Sequence, residues 1–219
     1  MYTALKKKLG LLVTLIILFS AFTGVNAASL GESNALGSAN SYLSFMPFSY
    51  SGLIKQLEYE GYTTAEATYA ADYCGADWDE QAVKSAQNYL ELMAFSQEAL
   101  INQLEYEGFT EEQAAFSVLN CYSAGDGDTQ ALKSAKDYLN FSAFSYEGLI
   151  DQLMYEGFST EDATYAAANC GADWNEQAAK CAENYLGIMS FSRSGLIGQL
   201  EYEGFTYEQA VYGAKQNGY

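Results

Sequence analysis

The residues of this sequence with the most chemistry to offer are carboxylates, and they recur. Glu58 and Glu60, Glu105 and Glu107, Glu156, and Glu201 and Glu203 all stand just before a glycine, in the tetrapeptides EYEG, EYEG, MYEG and EYEG. Two acids one residue apart could share acid–base work, hold a cation, or present charge to a basic partner. Acid–base catalysis needs a pair whose two environments differ. Here a similar pair is written again and again, in surroundings that read as solvated. The pattern therefore points to a repeated acidic face for a protein partner, the plainer reading being solubility. A hydrolase using paired carboxylates is the weakest reading, and no cofactor is implied.

Other candidates are weaker. Cys74, Cys121 and Cys170 hold one repeated position, and Cys181 is an extra. Cys170 and Cys181 flank a single junction and are the expected disulfide if one forms; three small buried thiols would explain the rest. There is no CxxC and no histidine, so a zinc site is not expected. Gly125-Asp-Gly-Asp-Thr129 lacks the ligand series of a calcium loop and reads as a helix start. Tyr59, Tyr69, Tyr106, Tyr155, Tyr165, Tyr202 and Tyr212 read mainly as core or rim packing. Tyr50, Tyr146 and Tyr207 are candidate interface anchors.

The elements that carry these residues form a repeat. Phe48, Phe95, Phe144 and Phe191 open four copies of one motif, spaced by 47, 49 and 47 residues. A fixed period of this size signals an array of small units. Each unit reads as three helices. In the first helix, Ala35, Leu36, Ala39, Tyr42 and Leu43 make one apolar face, over about residues 34–46. The second follows an N-cap serine (Ser49, Ser96, Ser145 or Ser192), carries the stripe Leu53, Ile54, Leu57, and stops at Gly61, Gly108, Gly157 or Gly204. An aromatic follows each glycine, as a Schellman stop requires. The third helix opens with the capping boxes Thr63/Glu66, Thr110/Gln113 and Thr206/Gln209. Asp77, with Glu80, caps the next first helix. Gly52, Gly148 and Gly195 cost helix stability in a first turn and are expected to let another helix of the same unit pass close. The Trp-free junction at 122–129 is expected to be looser.

The fold class is therefore all-α, a tandem array of four small three-helix, helix-turn-helix-like units: 34–75, 76–122, 123–171 and 172–219. A flexible lead is expected over 28–33, and 1–27 is expected to be an export signal. Lys6, Lys7 and Lys8 form its basic region, Leu9 to Phe22 its apolar core, and Val25-Asn26-Ala27 its cleavage end. Cleavage is expected after Ala27. The alternative is a retained anchor, but the apolar core is short of the roughly 20 residues of a bilayer span.

Charge narrows the partner. The chain has 28 acidic and 10 basic residues and no histidine. The signal takes three lysines and no acid, leaving 7 basic against 28 acidic residues, a net charge of −21. Arg193 is the single arginine. A helix-turn-helix often reads DNA, but binding phosphates needs clustered Lys and Arg. No nucleic acid is expected, and no membrane insertion of the mature chain.

Residues 130–171, QALKSAKDYLNFSAFSYEGLIDQLMYEGFSTEDATYAAANCG, resemble the Ltp-type repeat of host cell-surface-exposed lipoproteins of Gram-positive bacteria and their prophages. The resemblance covers about residues 34–219, through the core YLxFxAFSxxGLIxQLxYEGF. It implies a tandem of small helix-turn-helix units on the outer face of the cell. It also implies superinfection exclusion, in which an acidic surface of phage-encoded relatives engages the injection machinery of an incoming phage, its tape measure protein. Ala28 stands where a lipoprotein needs a cysteine, which argues against a lipid anchor. The reading is thus a secreted or cell-surface acidic repeat protein that binds a protein partner and is not an enzyme. The alternative is a structural or adhesion-type repeat that contacts cell wall or host material through tyrosine-rich surfaces.

Overall fold

A computed structural model describes residues 28–123 and 125–219. The expected signal at 1–27, and cleavage after Ala27, lie outside the described residues. Twelve helices, and no strand, are present among the described residues. They are α1 Leu30–Phe45, α2 Tyr50–Tyr59, α3 Thr64–Tyr73, α4 Trp78–Leu92, α5 Gln97–Tyr106 and α6 Glu111–Cys121. The second half holds α7 Asp126–Phe141, α8 Tyr146–Tyr155, α9 Thr160–Asn169, α10 Trp174–Ile188, α11 Arg193–Tyr202 and α12 Tyr207–Gln216. Three successive helices make one unit. In each unit the third helix packs most extensively on the first, and the second packs mainly on the third.

The local signals act as their chemistry requires. Ser49 Oγ accepts from the N–H of Gly52 at 2.9 Å, and Thr63, Thr110 and Thr206 each close a full capping box. The stop after α2 is a Schellman turn. Tyr62 N–H reaches Leu57 O at 3.2 Å and Gly61 N–H reaches Glu58 O at 2.9 Å, with Gly61 at φ +99°. The same two bonds recur after α5, α8 and α11. Asp77 Oδ1 accepts from the N–H of Asp79 and Glu80, while the Glu80 carboxylate pairs with Lys84 at 2.8 Å. One expectation is corrected at the start. Residues 28–33 are not a flexible lead: α1 begins at Leu30, because Ser29 and Glu32 form a capping box.

Each unit has its own core. Two leucines of the second helix (Leu53 and Leu57, Leu100 and Leu104, Leu149 and Leu153, Leu196 and Leu200) are fully buried against alanines of the other two helices. Alanine at these contacts lets the backbones approach, so a unit of fewer than 50 residues closes around a very small core. Cys170 belongs to the third core and Cys181 to the fourth. The expected disulfide is not formed in this structure: all four cysteines are free, and the Cys170 thiol points to its own helix at Ala167 O, 3.3 Å away.

The units are joined through the second helices. Ser49 Oγ, while capping α2, donates to the carbonyl of Glu107 at the end of α5, 2.6 Å away. Ser96 does the same to Glu156 O and Ser145 to Glu203 O, both at 2.5 Å. The start of each second helix thus meets the end of the next unit's second helix, positive dipole end against negative. These three serines are buried. The glycines fit this contact. A Cβ on Gly52 would sit 3.2 Å from Glu107 O, and one on Gly108 would sit 2.1 Å from Ser51 Oγ. Gly52 and Gly148 therefore make room first for the Oγ of their own cap serine, at 2.7 and 2.9 Å, and then for the next unit's carbonyl, at 3.2 and 3.4 Å. The expectation that they admit a helix of their own unit is corrected.

Aromatic pairs reinforce two joints. Tyr50 packs edge-on against Trp78, and Tyr146 against Trp174, each at 5.5 Å between ring centres. The middle joint lacks that pair, and α7 starts from a left-handed Gly125 without a side-chain cap. Tyr122 is buried there instead and donates its hydroxyl to Phe95 O, and the Ser96 contact is kept.

Two serine substitutions separate the cap from the joint. Ser192 caps α11 but donates to no carbonyl among the described residues. Ser192→Ala is expected to cost about 1 kcal/mol in urea unfolding. Ser145→Ala loses the same cap and also leaves the partly buried Glu203 carbonyl unpaired, so about 2 kcal/mol is expected. Equal losses would show that the joint bond contributes nothing.

Candidate functional site

The EYEG segments end the second helices, and the two acids of each segment lead different lives. The second acid is the C-cap residue, and its side chain turns back onto the first helix of its own unit. Tyr42, Tyr89, Tyr138 and Tyr185 donate their hydroxyls to Glu60, Glu107, Glu156 and Glu203. Each tyrosine oxygen in turn accepts from a glutamine of the second helix: Gln56, Gln103, Gln152 or Gln199, at 3.0–3.1 Å. A phenylalanine edge holds each ring, with Tyr89 and Phe95 centred 5.4 Å apart and Tyr185 and Phe191 5.9 Å apart. Ser85 and Ser134 donate to the other oxygen of Glu107 and Glu156, both at 2.9 Å. The relay Gln–Tyr–Glu therefore recurs in all four units and ties the second helix to the first.

This geometry explains an acid at the unfavourable end of its own helix. Glu107 lines one groove, of about 390 Å³, together with Ser49 and Gly52 at the start of α2. A carboxylate there faces the positive end of the neighbouring helix as well as the negative end of its own. Glu60 has no such neighbour and is exposed.

The first acids are free to act. Glu58, Glu105 and Glu201 are exposed, and only Glu58 takes a side-chain bond, from Thr64 Oγ1 at 2.5 Å. Directly before the C-cap acid of each segment stands a tyrosine that is almost fully open: Tyr59 88%, Tyr106 87%, Tyr155 89% and Tyr202 84% exposed. Tyr50 and Tyr146 are joint residues, as described, and Tyr207 is exposed. Tyr69 and Tyr212 are half-buried, and Tyr165 is exposed.

A second ladder was not foreseen. Phe45, Leu92, Phe141 and Ile188, at the ends of the first helices, are 80–97% exposed, with Met46, Met93 and Met189 beside three of them. The signal was available. This position is large and apolar in every unit yet lies off the stripe of Ala35, Ala39 and Tyr42, so burial in the unit's own core cannot account for it.

Among the described residues no three His, Cys, Asp or Glu side chains lie close enough to hold a metal, and no helix is long and apolar enough to cross a membrane. The Cys181 thiol is pushed up to about 11 by burial and by Glu203, so at neutral pH it stays protonated and weakly nucleophilic.

Fold and site together define an all-α protein of four tandem three-helix units of helix-turn-helix type. The sequence profile of the Ltp family, described as host cell surface-exposed lipoprotein, matches residues 32–73, 77–120, 126–169 and 173–216, one match per unit, and the chain belongs to that family. A solved structure described as Ltp, a superinfection exclusion protein from the Streptococcus thermophilus temperate phage TP-J34, is 32% identical to this chain. It aligns over 41% of this chain and 93% of its own, with a TM-score of 0.39. No curated protein matches.

The relay makes stability depend on pH at the alkaline end. Tyr89 and Tyr138 are raised above the ordinary tyrosine value of 10.0, first by burial and then by the bond to Glu107 or Glu156. Tyr42 and Tyr185 are raised first by the bond to Glu60 or Glu203. A donor whose folded value is raised contributes fully below the unfolded value and is lost as pH rises through the folded one. Unfolding free energy should therefore fall above about pH 10. The double variant Tyr89→Phe/Tyr138→Phe should lose about 1 kcal/mol per site at pH 7, modest because water reaches both bonds. It should also show a flatter decline above pH 10. An unchanged alkaline slope, followed by far-UV circular dichroism, would remove the relay from the account.

Proposed function

We propose that the protein is an extracellular, cell-surface array that binds a protein partner through the outer acids and open tyrosines at the ends of its second helices. The observation that carries this reading is the recurrence of one open tyrosine in every unit, beside an exposed acid in three of them: Glu58 and Tyr59, Glu105 and Tyr106, Tyr155, and Glu201 and Tyr202. Open tyrosines supply large contact area at low entropic cost. The acids select a basic partner and exclude nucleic acid. Glu60, Glu107, Glu156 and Glu203 act on the partner indirectly, by fixing the turn that presents the outer pair.

Membership of a family described as host cell surface-exposed supports placement outside the cell. Phage superinfection exclusion, the activity named for the Streptococcus protein, is the narrower form of this proposal. There the partner would be a basic segment of phage injection machinery. The second reading, an adhesive repeat on cell wall or host material, is favoured by the apolar ladder Phe45, Leu92, Phe141 and Ile188.

Binding of residues 28–219 to phage particles and to cell-wall fractions tests both. The triple variant Glu58→Lys/Glu105→Lys/Glu201→Lys should weaken capture of phage protein by about tenfold or more, from three exposed pairs worth about 0.5 kcal/mol each. Raising salt to about 1 M, where the Debye length is about 3 Å, should have a similar effect. Binding that survives both treatments but is lost in Phe141→Ser/Ile188→Ser would favour the adhesive reading.

A further inference from the structure

We propose that a second copy of this chain docks head to tail on the first, continuing the column of second helices through the joint that already connects the units. The basis is an interface seen three times, of which the first and fourth units each present one half with no partner among the described residues. At the far end, Ser192 is exposed, whereas Ser49, Ser96 and Ser145 are buried. Its hydroxyl caps Gly195 N–H at 3.1 Å, as the others cap their helices, but it reaches no carbonyl. Ser194 and Gly195 repeat Ser51 and Gly52. In the first joint, Ser51 donates to Gly108 O at 3.0 Å, and Gly52 lies beside Glu107 O. The fourth unit thus carries the donor half of the joint.

The acceptor half stands open on the first unit. Ser41, Tyr42, Phe45 and Glu60 line a groove of about 670 Å³. They occupy the positions that Asn88, Tyr89, Leu92 and Glu107 take in the groove where α2 begins. Gly61, at φ +99°, has nothing within 4 Å of the place its Cβ would take, while the corresponding atoms on Gly108, Gly157 and Gly204 would press on the preceding unit's serine. Glu60 carries the only exposed carboxylate of the four C-cap acids.

Charge favours the match. Arg193 stands where Tyr50 and Tyr146 pack on a tryptophan, and the first unit has Gly31 where those tryptophans stand. The aromatic pair of an internal joint is replaced by a cation on one free end and by Glu32 and Glu60 on the other. The chain's single arginine offsets, at this place, the repulsion between two strongly acidic molecules. Such a contact is heterologous, so it extends into open chains rather than closing a dimer.

Residues 28–219 hold all four cores and suit sedimentation equilibrium at about 0.15 M salt, where charge is screened beyond about 8 Å. The mass should rise with concentration, up to about 1 mM, the weak end of specific association. Ser194→Trp blocks the donor end and Ser41→Trp the acceptor end; both sites are exposed. Each variant alone should remain a single chain. Mixed in equal amounts they should form a one-to-one pair and nothing longer, since each supplies the half the other lacks. That pairing also shows that both variants are folded. A single-chain mass for the unmodified protein across the series, association that persists in either variant alone, or a mixture that forms no pair would each overturn the proposal.

Discussion

The structure depends on a serine hydroxyl that works in two directions. Ser49, Ser96 and Ser145 accept from the first turn of their own helix and donate to a carbonyl that ends the next unit's second helix. A helix start needs acceptors and a helix end needs donors. A hydroxyl can be both at once, so one atom answers two needs that would otherwise be left to water. Four cores, each built on two leucines and a few alanines, would be marginal alone. Stacked in this way they support one another, and stability becomes a sum of unit and neighbour contributions.

The second constraint lies inside each unit. The glutamine and glutamate of the relay belong to the second helix and the tyrosine to the first, and they meet at one oxygen, the tyrosine hydroxyl. That bond fixes the C-cap glutamate, whose carbonyl is the acceptor used by the preceding unit. A residue that looked like surface charge is therefore part of the scaffold, and its neighbour two positions earlier is the one left to solvent. The separation is visible in burial: Glu107, Glu156 and Glu203 are half-buried while Glu105 and Glu201 are exposed.

Most of the fold was legible because its signals are local. Ser49, Thr63, Gly61 and Tyr62 each act within four or five residues, so cap, stop and helix length could be read from spacing alone. The start of α1 was missed: Ser29 and Glu32 stand at capping-box spacing, yet 28–33 was expected to be a flexible lead. The joints were not legible. Ser49 and the carbonyl of Glu107 lie far apart in sequence, and nothing about a serine N-cap announces a second partner. Gly52 shows the same limit. Its cost to the helix was readable, while the object it makes room for belongs to another unit.

The same distinction governs what the surface can do. A catalytic site needs unlike groups converging once, whereas a repeat presents like groups at intervals. Tyr59, Tyr106, Tyr155 and Tyr202 are held on equivalent turns, each locked by its own relay, so the order lost on binding is small at every one. A weak contact of this kind gains from being made several times on one rigid support, because the second engagement is intramolecular. The joint serines set the spacing between these tyrosines, and in the proposed binding role that spacing suits a partner that is itself long or repetitive. The bond that holds the scaffold together is therefore also the ruler that spaces its open tyrosines.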